Sequence, residues 1–316
     1  MLHRQTNLSM TKHICVVGSI HMDLIISSDH LPKSGERMIA DSVVTSTGGK
    51  GANQAVAASR LGPEVDLVGC VGNDGWGGEL RSALVREGVD VQFVTTKPDV
   101  ASGVGIVTAL PDGELAVVVA PGADRELNVE DIEHAREAIE DAAIVIIQLE
   151  IPVPAVQRAS EIAQAAGAKV VLNASPAIKL PPEIYAGVDT LIVEFAEAQA
   201  LLNDEEALGQ SRIARRLGAL GPDKVVVMES GRSALLFDGE KIIEQPELEA
   251  EIVDSTGARD AFVGAYAVAR LEECRLEEAL RSACAAGVLA STQVGAFPSM
   301  PTREEHEGFL KKLATV

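Results

Sequence analysis

Beyond residue 142 the chain repeats one pattern, and that pattern limits its fold more than any other feature. Short runs of apolar, β-branched residues alternate with segments of helical spacing. "AAIVIIQLE" (142–150), "KVVLNASP" (169–176), "DTLIVEF" (189–195) and "KVVVMES" (224–230) read as strands. A helix, "VPAVQRASEIAQAAG", follows the first of them, another helix follows the third, and a hairpin through "SALLFDGEKIIEQP" follows the fourth. Strands that are apolar throughout are buried on both faces, and strand–helix alternation implies a parallel sheet with right-handed crossovers. The fold class is therefore α/β. The first half continues it, with strands at "HICVVGSI" (13–20) and "VDLVGCVG" (65–72). Helices follow at "GGKGANQAVAASRLG" (48–62), which stops at Gly62-Pro63, and at "GWGGELRSALVREG" (75–88). Two helices, 257–271 and roughly 276–294, close the chain. Two β-prone insertions, 24–47 and 102–120, have no helices of their own, and the second turns at Pro111-Asp112-Gly113. They are expected to form a small sheet over the active face, a lid on one α/β domain spanning 12–314. Apolar residues make up 47% of the chain and aromatics 3%, so the core is built from Ala, Val, Leu and Ile.

The formal net charge of −20 argues against a nucleic-acid or anionic-membrane partner. No apolar run approaches the roughly 20 residues needed to cross a bilayer. The first ten residues are polar and lack the apolar stretch of a secretion signal; residues 1–11 are expected to be flexible, and Met10 is an alternative start. Cys15, Cys70, Cys274 and Cys284 form no C-x-x-C pair. Cys15 and Cys70 sit in apolar runs, which predicts buried free thiols and a reducing, cytoplasmic setting.

In an open α/β sheet ligands bind beyond the carboxyl ends of the strands. Asp23, the Gly48-Gly49-Lys50-Gly51 turn, Glu150, Asp254 and Asp260 all stand at such places. "GGKG" is not a P-loop, and alone it is a common glycine turn. "DSTGARDA" adds a helix N-terminus, with free amides and a positive dipole end, beside an aspartate. Amides for a migrating phosphate and a carboxylate for a hydroxyl proton are the parts of phosphoryl transfer. Asp260 alone is also what a first helical turn favours. Trp76 reads as a loop or packing residue, and His134 and His306, on helices among acidic residues, as surface. No His/Cys cluster has metal-ligand spacing, and there is no G-x-S-x-G elbow.

Taken together, "GGKGANQAVAASRLG" and "DSTGARDAFVGA" resemble the amino- and carboxy-terminal signatures of the PfkB carbohydrate kinases, closest to the ribokinase branch, over about residues 13–310. The resemblance implies a ribokinase-like fold with a β lid that often serves as a dimer clasp, hence a homodimer. It implies ATP, Mg²⁺ and a monovalent cation, K⁺, with a small sugar or nucleoside as acceptor. By resemblance Asp260 is the catalytic base, with Gly257, Ala258 and Arg259 around the transferring phosphate. Asp23, His21, Gly49, Lys50, Asn53, Glu150 and Asp254 are the acceptor side; His21 stands where ribokinases often have asparagine. Glu194, Glu197, Ser230 and Gly257 are the nucleotide side, with Glu197 toward Mg²⁺ and Asp254, Gly295 and Ser299 toward K⁺.

The nucleotide side departs from the family pattern. G-A-G-D has become Gly257-Ala258-Arg259-Asp260, P-N-E-T-E reads Val193-Glu194-Phe195-Ala196-Glu197, and T-x-G reads Met228-Glu229-Ser230. Arg259 can point to solvent, fill the phosphate position and block ATP, or clamp phosphate through its fork. The expected function is ATP-dependent phosphorylation of a pentose-like sugar or nucleoside. The alternatives are a family member that binds such a ligand without phosphorylating it, or one that runs another reaction in the same pocket.

Overall fold

The computed structural model describes residues 13–110, 115–203 and 208–314. The N-terminal segment 1–11, Met10 and the turn expected at Pro111-Asp112-Gly113 lie outside the described residues. In chain order the strands are β1 (His13–Val17), β2 (His21–Ser27), β3 (Ser42–Gly48), β4 (Glu64–Gly72), β5 (Val89–Asp90), β6 (Val94–Lys97), β7 (Gly103–Ala109), β8 (Leu115–Ala120), β9 (Ile144–Gln148), β10 (Lys169–Asn173), β11 (Thr190–Glu194), β12 (Lys224–Glu229), β13 (Ser233–Phe237) and β14 (Ile242–Gln245). The helices are α1 (Lys50–Arg60), α2 (Gly75–Arg86), α3 (Val129–His134), α4 (Arg136–Asp141), α5 (Val153–Ala166), α6 (Pro182–Tyr185), α7 (Phe195–Leu202), α8 (Gln210–Gly218), α9 (Ala258–Leu271), α10 (Leu276–Ser291) and α11 (Arg303–Leu313).

The central sheet runs β14-β13-β12-β11-β10-β9-β1-β4-β5, with β6 alongside β4. From β4 through β12 its pairings are parallel, and the expected hairpin supplies the antiparallel edge of β13 and β14. Strand alternation splits the core in two. Ile14 and Val16 of β1 join a cluster with α1, α9 and α10; Cys15 and Val17 join the opposite one with α5 and α8. Cys15 and Cys70 are buried free thiols, as expected, and burial pushes the Cys70 thiol up to about 12.

The lid is a second sheet of order β3-β2-β7-β8. It begins at His21 rather than at residue 24, so β2 carries His21 and Asp23 on one face of the lid itself. The two insertions join through a parallel pairing of β2 with β7, which puts Asp23 beside Gly105.

Close packing of α1 on α9 sets the geometry of the site. A Cβ on Gly264 would lie 2.7 Å from Ala57 Cβ, 3.0 Å from Ala58 N and 3.1 Å from Gln54 O. One turn toward the site from this contact stand Asn53, Gln54 and Asp260.

Two expectations change. A third helix, α11, follows the two expected to close the chain. His306 on α11 is buried, not surface, because this face packs on α10, where its Nε2 lies 2.9 Å from Ser282 O. Burial holds its pKa below the usual value. His134 is exposed as expected, with its ring edge-on to Phe93, and Trp76 packs against the core from the start of α2.

Candidate active site

The helix start that raised the question about Arg259 is α9. Gly257 caps it with φ of 79°, a conformation that favours glycine, and no side chain caps its first turn. Its amide end therefore faces a cavity of about 440 Å³ lined by Asp260, Arg259, Gly257, Lys50, Asn53, Asp23, His21 and Glu150, with Val107, Val117 and Val119 of the lid across from them. Asp260 is buried, yet its two oxygens are committed: Oδ2 accepts from Asn53 Nδ2 at 2.8 Å and Oδ1 from Gln54 Nε2 at 2.9 Å. Gln54 is fixed in turn, donating to Asn173 Oδ1 at 3.0 Å and accepting from Gln148 Nε2 at 2.7 Å. Burial raises the Asp260 pKa, against Lys50, Asn53 and Gln54, which favour its anion. A carboxylate made more basic by burial and gripped by directed donors that favour its anion suits a proton acceptor.

At the other end of the cavity, Asp23 sits in a slot between two glycines. A Cβ on Gly48 would lie 2.1 Å from Asp23 Oδ2, and one on Gly105 would lie 2.0 Å from Oδ1. His21 lies between carboxylates, Nε2 at 3.5 Å from Asp23 Oδ1 and Nδ1 at 3.6 Å from Asp124 Oδ2. Burial opposes its charge, but Asp124, Asp23 and Glu150 outweigh it and carry the pKa to about 10. Asp124, buried beneath, is raised by that burial to about 6 and accepts from Ile20 N at 2.8 Å. Glu150 Oε2 accepts from Ser19 Oγ at 2.5 Å and from Lys50 N at 3.3 Å. For the Lys50 ammonium, burial works downward, but Asp260, Glu150 and Glu197 together raise its pKa, so it remains a cation.

On the side beyond α9, the sequence departures meet one another. Arg259 Nε lies 3.1 Å from Glu194 Oε2, and Glu194 Oε1 accepts from Ser230 N at 3.2 Å. Ser230 adopts φ of 52° and Gly231 φ of 69°, both in the left-handed region, in the three-residue turn between β12 and β13. Met228 is buried in the core. Glu197 Oε1 accepts from Ser175 Oγ at 2.7 Å.

The donor atoms suit a hard cation at one place. Glu197 Oε2 is buried without a hydrogen-bond partner among the described residues, whereas Glu194 Oε2, likewise without a hydrogen bond, already faces the Arg259 guanidinium at 3.1 Å. No group of three or more His, Cys, Asp or Glu placed to hold a metal exists among the described residues. A single free carboxylate oxygen such as Glu197 Oε2 is compatible with Mg²⁺, which takes one or two carboxylates and keeps waters and phosphate as its other ligands. Asp254 Oδ1 and Oδ2 accept from the amides of Thr256 and Gly295, each at 2.8 Å, while Ser299 Oγ donates to Ala296 O. The Asp254 oxygens keep a second lone pair each for a monovalent cation.

The structure thus gathers Asp260, Gly257, Arg259, Asp23, His21, Gly49, Lys50, Asn53, Glu150 and Ser230 on one cavity. Ala258, Glu194, Glu197, Asp254, Gly295 and Ser299 stand behind its wall or beyond its rim. Sequence reasoning missed Gln54, Gln148, Asn173, Ser19 and Asp124. Gln54 lies inside a quoted motif, and the polar ends of apolar strands at Gln148 and Asn173 were a readable signal. A larger cavity, about 650 Å³, opens at the opposite, amino ends of the strands around His13 and Asp66, where α/β sheets do not bind their ligands.

Comparison with known proteins fits this geometry. The pfkB family carbohydrate kinase sequence model matches residues 11–303. The chain is 36% identical over 302 residues to a ribokinase of Bacillus subtilis, covering 95% of this chain and 99% of that protein. It is 33% identical over 313 residues to a ribokinase of Haemophilus influenzae, covering 96% and 99%. Among solved structures, that of Arabidopsis thaliana ribokinase complexed with ribose and ATP superposes with a TM-score of 0.85 at 32% identity, covering 95% of this chain and 99% of that one.

Proposed function

This chain belongs to the pfkB family of carbohydrate kinases, and we propose that it transfers the γ-phosphoryl group of ATP to a primary hydroxyl of a pentose-like sugar, with ribose the first acceptor to test. The observation that carries this reading is the single cavity in which Asp260, the uncapped start of α9 and the polar slot of Asp23, His21 and Glu150 converge. Its volume, about 440 Å³, falls in the range of small-molecule sites. Relatives named ribokinase favour transfer over binding without transfer.

In this reading Asp23, Glu150 and Lys50 hold the acceptor hydroxyls, while His21 fixes Asp23. Asp260 takes the hydroxyl proton as the acceptor oxygen bonds to the γ-phosphorus, and the bridging bond breaks to leave ADP. The amides at the start of α9 meet the charge on the passing phosphoryl group. Glu197 would hold Mg²⁺, which when bound would supply charge neutralisation for the phosphates. The carboxylate of Asp254, held by the Thr256 and Gly295 amides, would hold a monovalent cation. The valines of β7 and β8 close over the sugar and exclude water.

On the lid face opposite the cavity Val43, Ile106 and Val118 are exposed, an apolar surface suited to a second copy, so we assign a homodimer. The buried thiols fit a reducing cytoplasm.

A coupled assay of ADP release with MgATP and a panel of ribose, deoxyribose and nucleosides tests the function. Saturable, K⁺-stimulated turnover with one pentose is expected. Absence of acceptor-dependent ADP release across the panel refutes it. Light scattering coupled to gel filtration tests the dimer, and a monomeric mass refutes that assignment.

A further inference from the structure

We infer that Arg259 is a phosphate-binding residue of the donor site, positioned by Glu194. The inference rests on the reading of this cavity as a kinase site and adds to it a group that the family pattern lacks.

Three observations carry it. Arg259 lines the cavity beside Gly257 and Asp260 and is half exposed, 49%, so it is available to a ligand. A cation at a helix N-terminus opposes the positive end of the helix dipole and needs an anion nearby, its own or a ligand's. Glu194 is that anion in the free protein, 9% exposed, and it meets the guanidinium through Nε. Engagement at Nε leaves the Nη1–Nη2 edge to grip two oxygens of a phosphate in the same plane.

Glu194 is itself fixed by the Ser230 amide, in a turn strained to φ of 52°. Its Oε2 is buried with no hydrogen bond of good geometry among the described residues. The two departures from the family pattern therefore cancel each other's charge. Glu194 does not add a net negative charge beside a triphosphate, and Arg259 does not swing freely into the phosphate position. The pair acts as a pre-set clamp, with Arg259 touching phosphate and Glu194 acting through Arg259.

The test is calorimetric titration of the full chain and its variants with MgATP and MgADP, without acceptor. Arg259→Gln should weaken MgATP about tenfold or more, the worth of one charge-assisted hydrogen bond, and MgADP by less than about threefold. Arg259→Lys, which keeps the charge but not the fork, should fall between Arg259→Gln and the wild type. Glu194→Gln should weaken MgATP about threefold in the wild-type background and leave it unchanged in the Arg259→Gln background. The difference between ATP and ADP is a readout that a merely structural role does not move. Equal or tighter MgATP binding by Arg259→Gln would show that the arginine obstructs the donor and overturns the inference. An equal effect of Glu194→Gln in both backgrounds overturns its positioning role. A protein that binds MgATP with these sensitivities but phosphorylates no pentose refutes the proposed acceptor and leaves this inference standing. One that phosphorylates a pentose with Arg259→Gln unaffected does the reverse, and no MgATP binding at all refutes both.

Discussion

Replacement of Gly264 by alanine tests whether the packing of α1 on α9 sets the catalytic geometry. The added Cβ would lie 2.7 Å from Ala57 Cβ, and ordinary contact begins at 3.4 Å, so the helices must part by about 0.7 Å. Two of the three nearest atoms, Ala58 N and Gln54 O, are backbone, so rotamer changes cannot absorb the clash. One turn along, Asn53 and Gln54 reach Asp260 at 2.8 and 2.9 Å. Separation carries both hydrogen bonds to roughly 3.5 Å, outside the useful range. Overpacking of this kind costs about 1–3 kcal/mol, a fall in Tm of roughly 2–8 °C for a chain of this size. Asp260 then loses two donors that favour its anion, and its pKa, already raised by burial, rises further. A base works only when ionised. Activity is therefore lost as pH falls through this pKa, and the acid limb of the kcat profile must move to higher pH in the variant. At neutral pH, kcat should drop about tenfold, given that a misplacement of 1 Å can cost about a hundredfold. Thermal unfolding and a pH–rate profile of the purified variant measure both effects. A variant that loses stability while keeping the wild-type acid limb and kcat would refute the claim that the helix contact positions the base.

Three further outcomes are expected. Asp260→Asn should lower kcat by about 10²–10⁴-fold and abolish the acid limb, with MgATP affinity by calorimetry nearly unchanged; retention of a tenth of the activity would remove Asp260 from the role of base. Gly105→Ala places a Cβ 2.0 Å from Asp23 Oδ1 and must displace that carboxylate, so the acceptor KM should rise about tenfold or more while the MgATP Kd stays put; an unchanged KM would mean that Asp23 does not hold the acceptor. Gly308→Ala, inside α11 with open space around the new methyl, should stabilise the protein by about 0.5–1 kcal/mol in thermal or urea unfolding, with activity unaltered; a destabilised variant would contradict the helical packing described for α11.

What the sequence revealed, and what it did not, follows the range of each interaction. Most strands and α1, α2, α5 and α9 were legible because apolar period and glycine punctuation are local signals, whereas the short β5 and β6 carry no such run. Asp23, Lys50 and Asp260 were legible because they stand just past strands or inside glycine turns, and paired motifs fixed their roles by resemblance. Asp124 was not, because its partner amide at Ile20 lies 104 residues away and its own neighbourhood, "PGADREL", reads as a plain turn. His306 was misread because its sequence neighbours are acids, whereas its spatial neighbour is Ser282 on α10. Arg259 and Glu194 show the same limit most clearly. Read singly, each departs from a phosphate site, one as an obstruction and the other as a repulsive charge. Sixty-five positions apart in sequence, they stand 3.1 Å apart in space, where the charge of one is the reason the other is tolerated. A departure from a motif is thus best weighed with whatever else has changed around the same ligand, since two substitutions that each oppose phosphate binding can together make a site for it.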